Sequence, residues 1–441
     1  MTPEPAGIVV VGASLAGLRG AEALRQGGYD GPLTLVGAEP YRPYDRPPLS
    51  KHVLAGKLEA GATRLPELAP LRARWRLGSA AVSLDREART IRLADGSALA
   101  YEKLLITTGA EARSWPTEAG GDLAGIHTLR GRDDAAALRA ALAAGPRRVL
   151  IVGGGLIGCE AASCLRDLGL PVTLIDPNPT PLANALGLYV GRVIAECLRD
   201  SGADFRPGAM VRAFEGDAAG RVARARLADG QALETDLVIA ALGATRATGW
   251  LSGAGLMADP GGVTCDEACR ARDAGGTPCP DIYVAGDVAR WPIRLYGGRS
   301  VSVEHWSNAV EQAAHAARNM LAGPGDQRAY EHLPAFWSSQ FGINIKLVGL
   351  AGGADSVAVV QGSRASRRFL AVYGRAGRSI GAVSFDQARW LPAYAEAIRV
   401  GAAFPPIADA TDQPRIETAV PGFPVPRATV PAALPAEVTH A

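Results

Sequence analysis

A short β-branched apolar run, a glycine-rich turn, a helical pattern and a second apolar run follow one another twice in this chain. The first set is Ile8–Val11, the turn from Gly12, a helical pattern over Leu15–Arg25 and a run at Leu33–Val36. The second is Arg148–Val152, the turn Gly153–Gly158, a helical pattern to about Leu168 and a run at Val172–Ile175. Strand, turn, helix, strand is a βαβ unit, and its parallel strands read as unbroken apolar runs because both sheet faces are buried. Gly153 follows Gly12 by 141 positions (153 − 12) in a chain of 441 residues. Two such units at that distance predict an α/β fold with two Rossmann-like dinucleotide-binding domains rather than one long sheet. Three further apolar runs, Leu104–Thr107, Leu237–Ala241 and Ile282–Ala285, lead into Gly109, Gly243 and Gly286.

The second turn is a full G-x-G-x-x-G, with Gly153 for the tight bend, Gly155 for close approach of a pyrophosphate and Gly158 for helix–strand packing. Asp176 lies 18 residues past Gly158 (176 − 158), where an acid receives a ribose 2′-OH and repels a 2′-phosphate. That favours NAD over NADP. The first turn, Gly12-Ala13-Ser14-Leu15-Ala16-Gly17, has serine at the second glycine position, and Glu39 follows its second strand as a ribose acceptor. A hydrolase nucleophile elbow fits worse, since Ala16 holds the place of its last glycine and no earlier loop supplies an oxyanion hole. Two dinucleotide sites in one chain imply a held flavin and a diffusible nicotinamide cofactor that exchange a hydride.

Composition narrows the rest. The 53 glycines follow no Gly-X-Y period, and a net charge of +2 offers no footprint for nucleic acid. Six cysteines are too few for a disulfide scaffold. No signal peptide and no apolar run of about 18 residues is visible, so a soluble cytoplasmic protein without membrane association is expected. From about Arg328 an aromatic, alternating region (Phe336, Trp337, Phe341, Ile343, Ile345, Leu347) predicts a small antiparallel domain. The eight prolines from Pro405 to Pro435 predict a tail that packs no core.

The run Tyr41-Arg42-Pro43-Tyr44-Asp45-Arg46-Pro47-Pro48-Leu49-Ser50-Lys51, with Val10–Gly17, resembles the FAD-dependent NADH:ferredoxin reductases of bacterial P450 and ring-hydroxylating dioxygenase systems. Leu105–Ala110, Tyr283–Val288, Glu304–Ala309 and Phe336–Gln340 are similar in the same order, over roughly residues 7–400. The resemblance implies a glutathione-reductase-type architecture with a small α+β C-terminal domain. It divides the chain into an FAD unit (1–112 and 243–327), an NAD unit (113–242), a flavin-covering domain (328–405) and a Pro-rich tail (406–441). It places FAD at Gly12, Ser14, Ala16, Gly17, Glu39, Arg46, Lys51, Ala81, Thr108, Gly109, Asp287, Glu304, Trp306 and Trp337. NADH falls at Gly153, Gly155, Leu156, Ile157, Gly158, Glu160, Asp176 and Gly243. Lys51 and Glu160 are the expected catalytic pair, and a ferredoxin, [2Fe-2S] or similar, is expected to dock on Arg290, Arg294, Arg299 and Lys346. Asn184 stands where the family has an arginine near the coenzyme phosphates, which would weaken NADH binding or shift coenzyme preference.

The cysteines bear on the electron route. Related disulfide reductases carry a redox pair beside the flavin, and Tyr41–Leu54 has none. Cys159 and Cys164, five positions apart on a helix, diverge by roughly 140° at 3.6 residues per turn. Cys265, Cys269 and Cys279 have no C-x-x-C spacing and no nearby histidine, so no metal site is expected. Two other readings stay open: an NADH oxidase or quinone reductase, and an NADH-sensing flavoprotein resembling apoptosis-inducing factor.

Overall fold

The computed structural model describes residues 6–323, 325–406 and 416–424. Both predicted units form. In the first, the strand Gly7–Val11 leads through the Gly12 turn into α1 (Leu15–Gln26) and on to the strand Leu33–Gly37. Gly7–Val11 pairs in parallel with Leu33–Gly37 on one side and with Ala98–Ile106 on the other. Pro278–Val284 adds in parallel beyond Ala98–Ile106, so the sheet is assembled from segments far apart in sequence. Val10, Leu35, Leu104, Leu105 and Ile106 are fully buried in its core.

The second unit repeats the plan. Its five strands are all parallel, in the order Asp204–Pro207, Val172–Asp176, Val149–Val152, Leu237–Ala240 and Ile126–His127. Three helices accompany it: α2 (Arg132–Ala143), α3 (Leu156–Asp167) and α4 (Ala183–Asp200). The chain leaves the first unit along Ala110–Ala112 and returns along Ala244–Arg246, and these two segments pair antiparallel. After α5 (Trp306–Leu321), which packs on α1, comes an antiparallel sheet whose outer strand is Ala335–Gln340. The helix α6 (Leu391–Arg399) lies on this sheet.

The proline-rich end departs from expectation. Thr418–Ala419 pairs with Ser356–Ser363 as a sixth strand. The following residues cross to α4, where Gly187 breaks the helix with φ 74° and ψ 167°. There the Gly422 carbonyl accepts from Leu188 N and the Pro421 carbonyl from Tyr189 N, each at 3.0 Å, and Phe423 packs on the adjacent core. Proline lacks an N–H but keeps its carbonyl, so a proline-rich segment still serves as an acceptor strap. Pro414, Pro426, Pro431 and Pro435 lie outside the described residues.

Candidate functional site

The two glycine turns are built alike because the same sterics act on both. Gly12 has φ +117° and Gly153 φ +108°, conformations that L side chains rarely adopt. A Cβ on Gly17 would overlap the Gly12 carbonyl oxygen, and one on Gly158 the Gly153 carbonyl oxygen. The third glycine of each loop therefore lets its helix start against its own turn. The middle positions differ. Gly155, the N-cap of α3, is exposed, and a Cβ there meets nothing within 4 Å. Ser14, the N-cap of α1, makes no side-chain capping bond. Both helix starts thus present free backbone donors with room in front, which fits a dinucleotide pyrophosphate.

The turns open on one cleft with about 1270 Å³ of empty space, counting the part open to solvent. Ser14, Ala16, Arg46, Lys51, Thr108, Gly109, Asp287, Glu304, Trp306 and Trp337 line it. From the second unit, Leu156, Ile157 and Glu160 line it too. Gly12, Gly17, Gly153, Gly155 and Gly158 sit in the turns behind it, and Gly243 ends the second sheet with φ +83°. Glu39 and Ala81 lie outside the lining. Glu39 reaches it through Arg46 (2.6 Å) and through Tyr44, whose hydroxyl donates to Glu39 at 2.5 Å. Asp176 is tied to its own loop: Oδ2 accepts from Gly154 N at 2.5 Å and Oδ1 from Asn178 N at 2.7 Å. Burial raises its pKa and these backbone donors oppose the rise. Asn184 is exposed at the start of α4.

At the floor of the cleft Lys51 Nζ meets Glu160 Oε2 at 2.7 Å, joining the first unit to the second. Ser50 Oγ donates to the same oxygen and Ser338 Oγ to Oε1, each at 2.6 Å. A buried carboxylate is tolerated only when charge and hydrogen bonds replace its water, and Glu160 has both. Elsewhere in the lining Arg130 donates to Asp287 Oδ2 (2.7 Å) and to the Ala110 carbonyl (3.1 Å). Arg246 pairs with Glu304 at 2.6 Å. Trp306 Nε1 donates to Asp45 Oδ1 at 2.9 Å, and burial raises the pKa of Asp45 against that bond. Trp306 and Trp337 lie 6.1 Å apart between centroids, and Trp337 stays 42 % exposed. The two tryptophans form an aromatic wall that suits a planar ring system.

Sequence reasoning missed Ser50, Arg130, Arg246 and Ser338. Ser50 stands inside the Tyr41–Lys51 run and could have been named from it. Ser338 likewise stands inside the Phe336–Gln340 run, whereas Arg130 and Arg246 carry no local pattern. The basic residues expected at a docking face are unequal: Arg290 is paired with Asp259 (2.8 Å), and Arg294 with Glu267 (2.9 Å). Arg299 donates to the Gly352 carbonyl (3.2 Å), while exposed Lys346 stands directly across from Trp337 in the antiparallel register. All six cysteines are free and buried. Cys159 faces α4, whereas Cys164 faces Lys51, so the two do diverge. No cluster of potential metal ligands occurs among the described residues.

His305 caps α5 and sets its ring edge-on to Trp337, with centroids 4.3 Å apart. Burial lowers its pKa to about 4 from an ordinary 6.5. Between those values the unfolded chain binds the proton that the folded chain refuses, so this share of stability is complete above about pH 6.5 and declines toward pH 4. His127 and His315 shift the same way through burial. Calorimetry at constant ionic strength should therefore give a Tm several degrees lower at pH 5 than at pH 7. His305→Asn keeps a capping acceptor without titrating and should flatten part of that slope; an unchanged slope would remove His305 from this account.

Comparison with known proteins agrees with this geometry. Residues 6–313 match the family described as pyridine nucleotide-disulphide oxidoreductase, and residues 335–419 match the reductase C-terminal family. The chain is 37% identical over 354 residues to the biphenyl dioxygenase system ferredoxin–NAD(+) reductase component of Paraburkholderia xenovorans (strain LB400), covering 80% of this chain and 83% of that one. It is 35% identical over 374 residues to putidaredoxin reductase CamA of Pseudomonas putida, covering 83% and 85%. The crystal structure of the covalent putidaredoxin reductase–putidaredoxin complex aligns with a TM-score of 0.81 at 31% identity, covering 90% of this chain and 93% of that one. With the family model spanning both glycine turns and the fold aligning over nine-tenths of the chain, the chain belongs to the pyridine nucleotide-disulphide oxidoreductases.

Proposed function

We propose that this chain is an FAD-dependent NADH:ferredoxin oxidoreductase, passing electrons to a ferredoxin that serves a P450 or ring-hydroxylating oxygenase. The observation that carries the reading is the Lys51–Glu160 pair, which brings residues of both dinucleotide units to one point in the cleft. FAD, when bound, would supply a two-electron acceptor for the hydride of NADH and a one-electron donor for an iron–sulfur protein. The chain's own part is placement and charge, and no side chain has to move a proton. Lys51 holds a cation where negative charge arrives, and Glu160 keeps that cation in place while bordering the nicotinamide site. Gly12, Ser14, Ala16 and Gly17 approach the FAD pyrophosphate. Glu39 takes its adenosine ribose, and Arg46, Ala81, Thr108, Gly109, Asp287, Glu304, Trp306 and Trp337 hold the remainder. Gly153, Gly155, Leu156, Ile157, Gly158, Asp176 and Gly243 receive NADH.

The unit boundaries at 112, 242, 327 and 405 belong to the same proposal, supported by the chain crossing at Ala110–Ala112 and Ala244–Arg246. Among the basic residues, Lys346 has the best support as a ferredoxin contact, since it is exposed beside Trp337, while ion pairs already engage Arg290 and Arg294. Arg299 lies on an exposed strand and donates to the Gly352 carbonyl. Among the described residues no helix is long and apolar enough to cross a membrane. Six free thiols suit the reducing cytoplasm, where we place the protein.

The test is an anaerobic titration of the purified flavoprotein with NADH and separately with NADPH, followed by ferredoxin-dependent cytochrome c reduction. One equivalent of NADH should bleach the flavin bands, and a ferredoxin should then restore them rapidly. Absence of bleaching would sink the proposal. Slow bleaching with a long-lived charge-transfer band would favour a sensor instead.

A further inference from the structure

Helix α3 turns Glu160, Ser163 and Cys164 to one side, the i, i+3, i+4 spacing that places residues on a common face. All three are hydrogen-bonded to distant segments. Ser338 Oγ donates to Glu160 Oε1 at 2.6 Å, Phe341 N donates to Ser163 Oγ at 2.7 Å, and Cys164 Sγ donates to the Lys51 carbonyl at 3.6 Å. The strand Ala335–Gln340 supplies the first of these contacts, and its side chains alternate as strand geometry requires. Trp337 and Ser339 are exposed; Ser338 and Gln340 are 1% and 2% exposed and face inward. One strand therefore carries the cleft's exposed tryptophan and, at the next residue, the hydroxyl that holds Glu160.

The hydroxyl is itself oriented. Gln340 Nε2 donates to Ser338 Oγ at 3.2 Å, so an acceptor site of that oxygen is filled and its single proton is left for Glu160. The arrangement leaves Gln340 Oε1 buried without a partner. Turning the amide over would offer that oxygen to Ser338 and draw the proton away from Glu160. Ser50 Oγ and Lys51 Nζ both engage Oε2, so the carboxylate is held from the first unit on one oxygen and from the C-terminal domain on the other.

We infer that Ser338 is a positioning residue for hydride transfer: from the C-terminal domain it holds the Glu160 carboxylate against Lys51. The inference rests on the proposed roles of Lys51 and Glu160. Without the Ser338 bond, Oε1 loses its donor, and the carboxylate is held on Oε2 alone and is free to pivot about that oxygen. The Lys51 amine, less tightly clasped, is then more open to reagents in the cleft.

The chain has only four lysines, so an acylating reagent read by mass spectrometry reports Lys51 separately from Lys57, Lys103 and Lys346. In the full-length flavoprotein, Ser338→Ala should raise Lys51 acylation several-fold with the other three unchanged. Rapid mixing with saturating NADH should show flavin reduction slowed about tenfold, with the NADH concentration for half-saturation unchanged. Ser338→Thr keeps the hydroxyl and should restore both readouts, and Ser339→Ala on the exposed face should match the unaltered protein. Should Ser338→Ala not fold, Ser338→Cys, near in size and a weak donor, should still raise Lys51 acylation. Unaltered Lys51 acylation in Ser338→Ala or Ser338→Cys would overturn the inference, as would Ser338→Thr behaving like Ser338→Ala. Lys51→Met separates the two layers: normal reduction there overturns the reading of Lys51, whereas slow reduction there with normal Ser338→Ala overturns the inference alone.

Discussion

Lys51→Met should slow reduction of the bound flavin by NADH about 100-fold while FAD remains bound, since loss of one preorganised electrostatic donor costs about 10²–10³ in rate. Methionine keeps most of the apolar stem, so packing against the cleft floor survives and the lost quantity is the charge. Glu160 would keep the Ser50 and Ser338 hydroxyls. The stability cost should therefore fall below the roughly 3–5 kcal/mol of a fully buried pair broken on one side. Lys51 also keeps 24% of its side-chain surface exposed, which lowers that cost further. Stopped-flow reduction with a parallel measurement of flavin content checks the expectation. A reduction rate within threefold of the unaltered protein would remove Lys51 from the mechanism.

The second large effect separates two glycines three residues apart. At Gly155 the backbone is extended, with φ −74° and ψ −173°, and an added Cβ meets nothing within 4 Å. Gly155→Ala should fold and bind FAD normally, with Tm unchanged within about 1 °C. It should raise the KM for NADH at least tenfold, because the methyl occupies the space through which a pyrophosphate reaches the backbone. Gly158→Ala acts in the opposite way. Its Cβ would overlap the Gly153 carbonyl oxygen, so α3 must shift from its own turn. Overpacking of this kind costs about 1–3 kcal/mol or more. Because α3 also bears Glu160 and Ser163, contacts to Lys51 and to the C-terminal domain loosen with it. Thermal melts and NADH titrations of the two variants should thus diverge, and Gly155→Ala binding NADH normally would show that the second turn is not the coenzyme site.

Both glycine turns were readable because the physics that selects glycine there is local: a positive φ at Gly12 and Gly153, and carbonyl contacts within five residues at Gly17 and Gly158. The Tyr41–Lys51 run was readable for a different reason, its resemblance to the reductases, and most of its residues from Tyr44 onward line the cleft. Arg130 was not, because its partner Asp287 lies 157 positions away and nothing around either residue specifies the other. The tail was misjudged on composition. Prolines do discourage a core strand, yet the Pro421 and Gly422 carbonyls serve as acceptors for a broken helix, a need visible only once Gly187 is seen to interrupt α4.

By itself the sequence determined the two parallel units and the two dinucleotide turns, since apolar periodicity and glycine sterics act over a few residues; the Lys51-bearing segment came from its resemblance to the reductases. Only the tertiary structure decided what surrounds Glu160. Ser50 approaches from 110 positions before it and Ser338 from 178 after it. A buried carboxylate must gather donors from whatever segments pack around it, and which segments meet there is set by packing rather than by any helix or strand period.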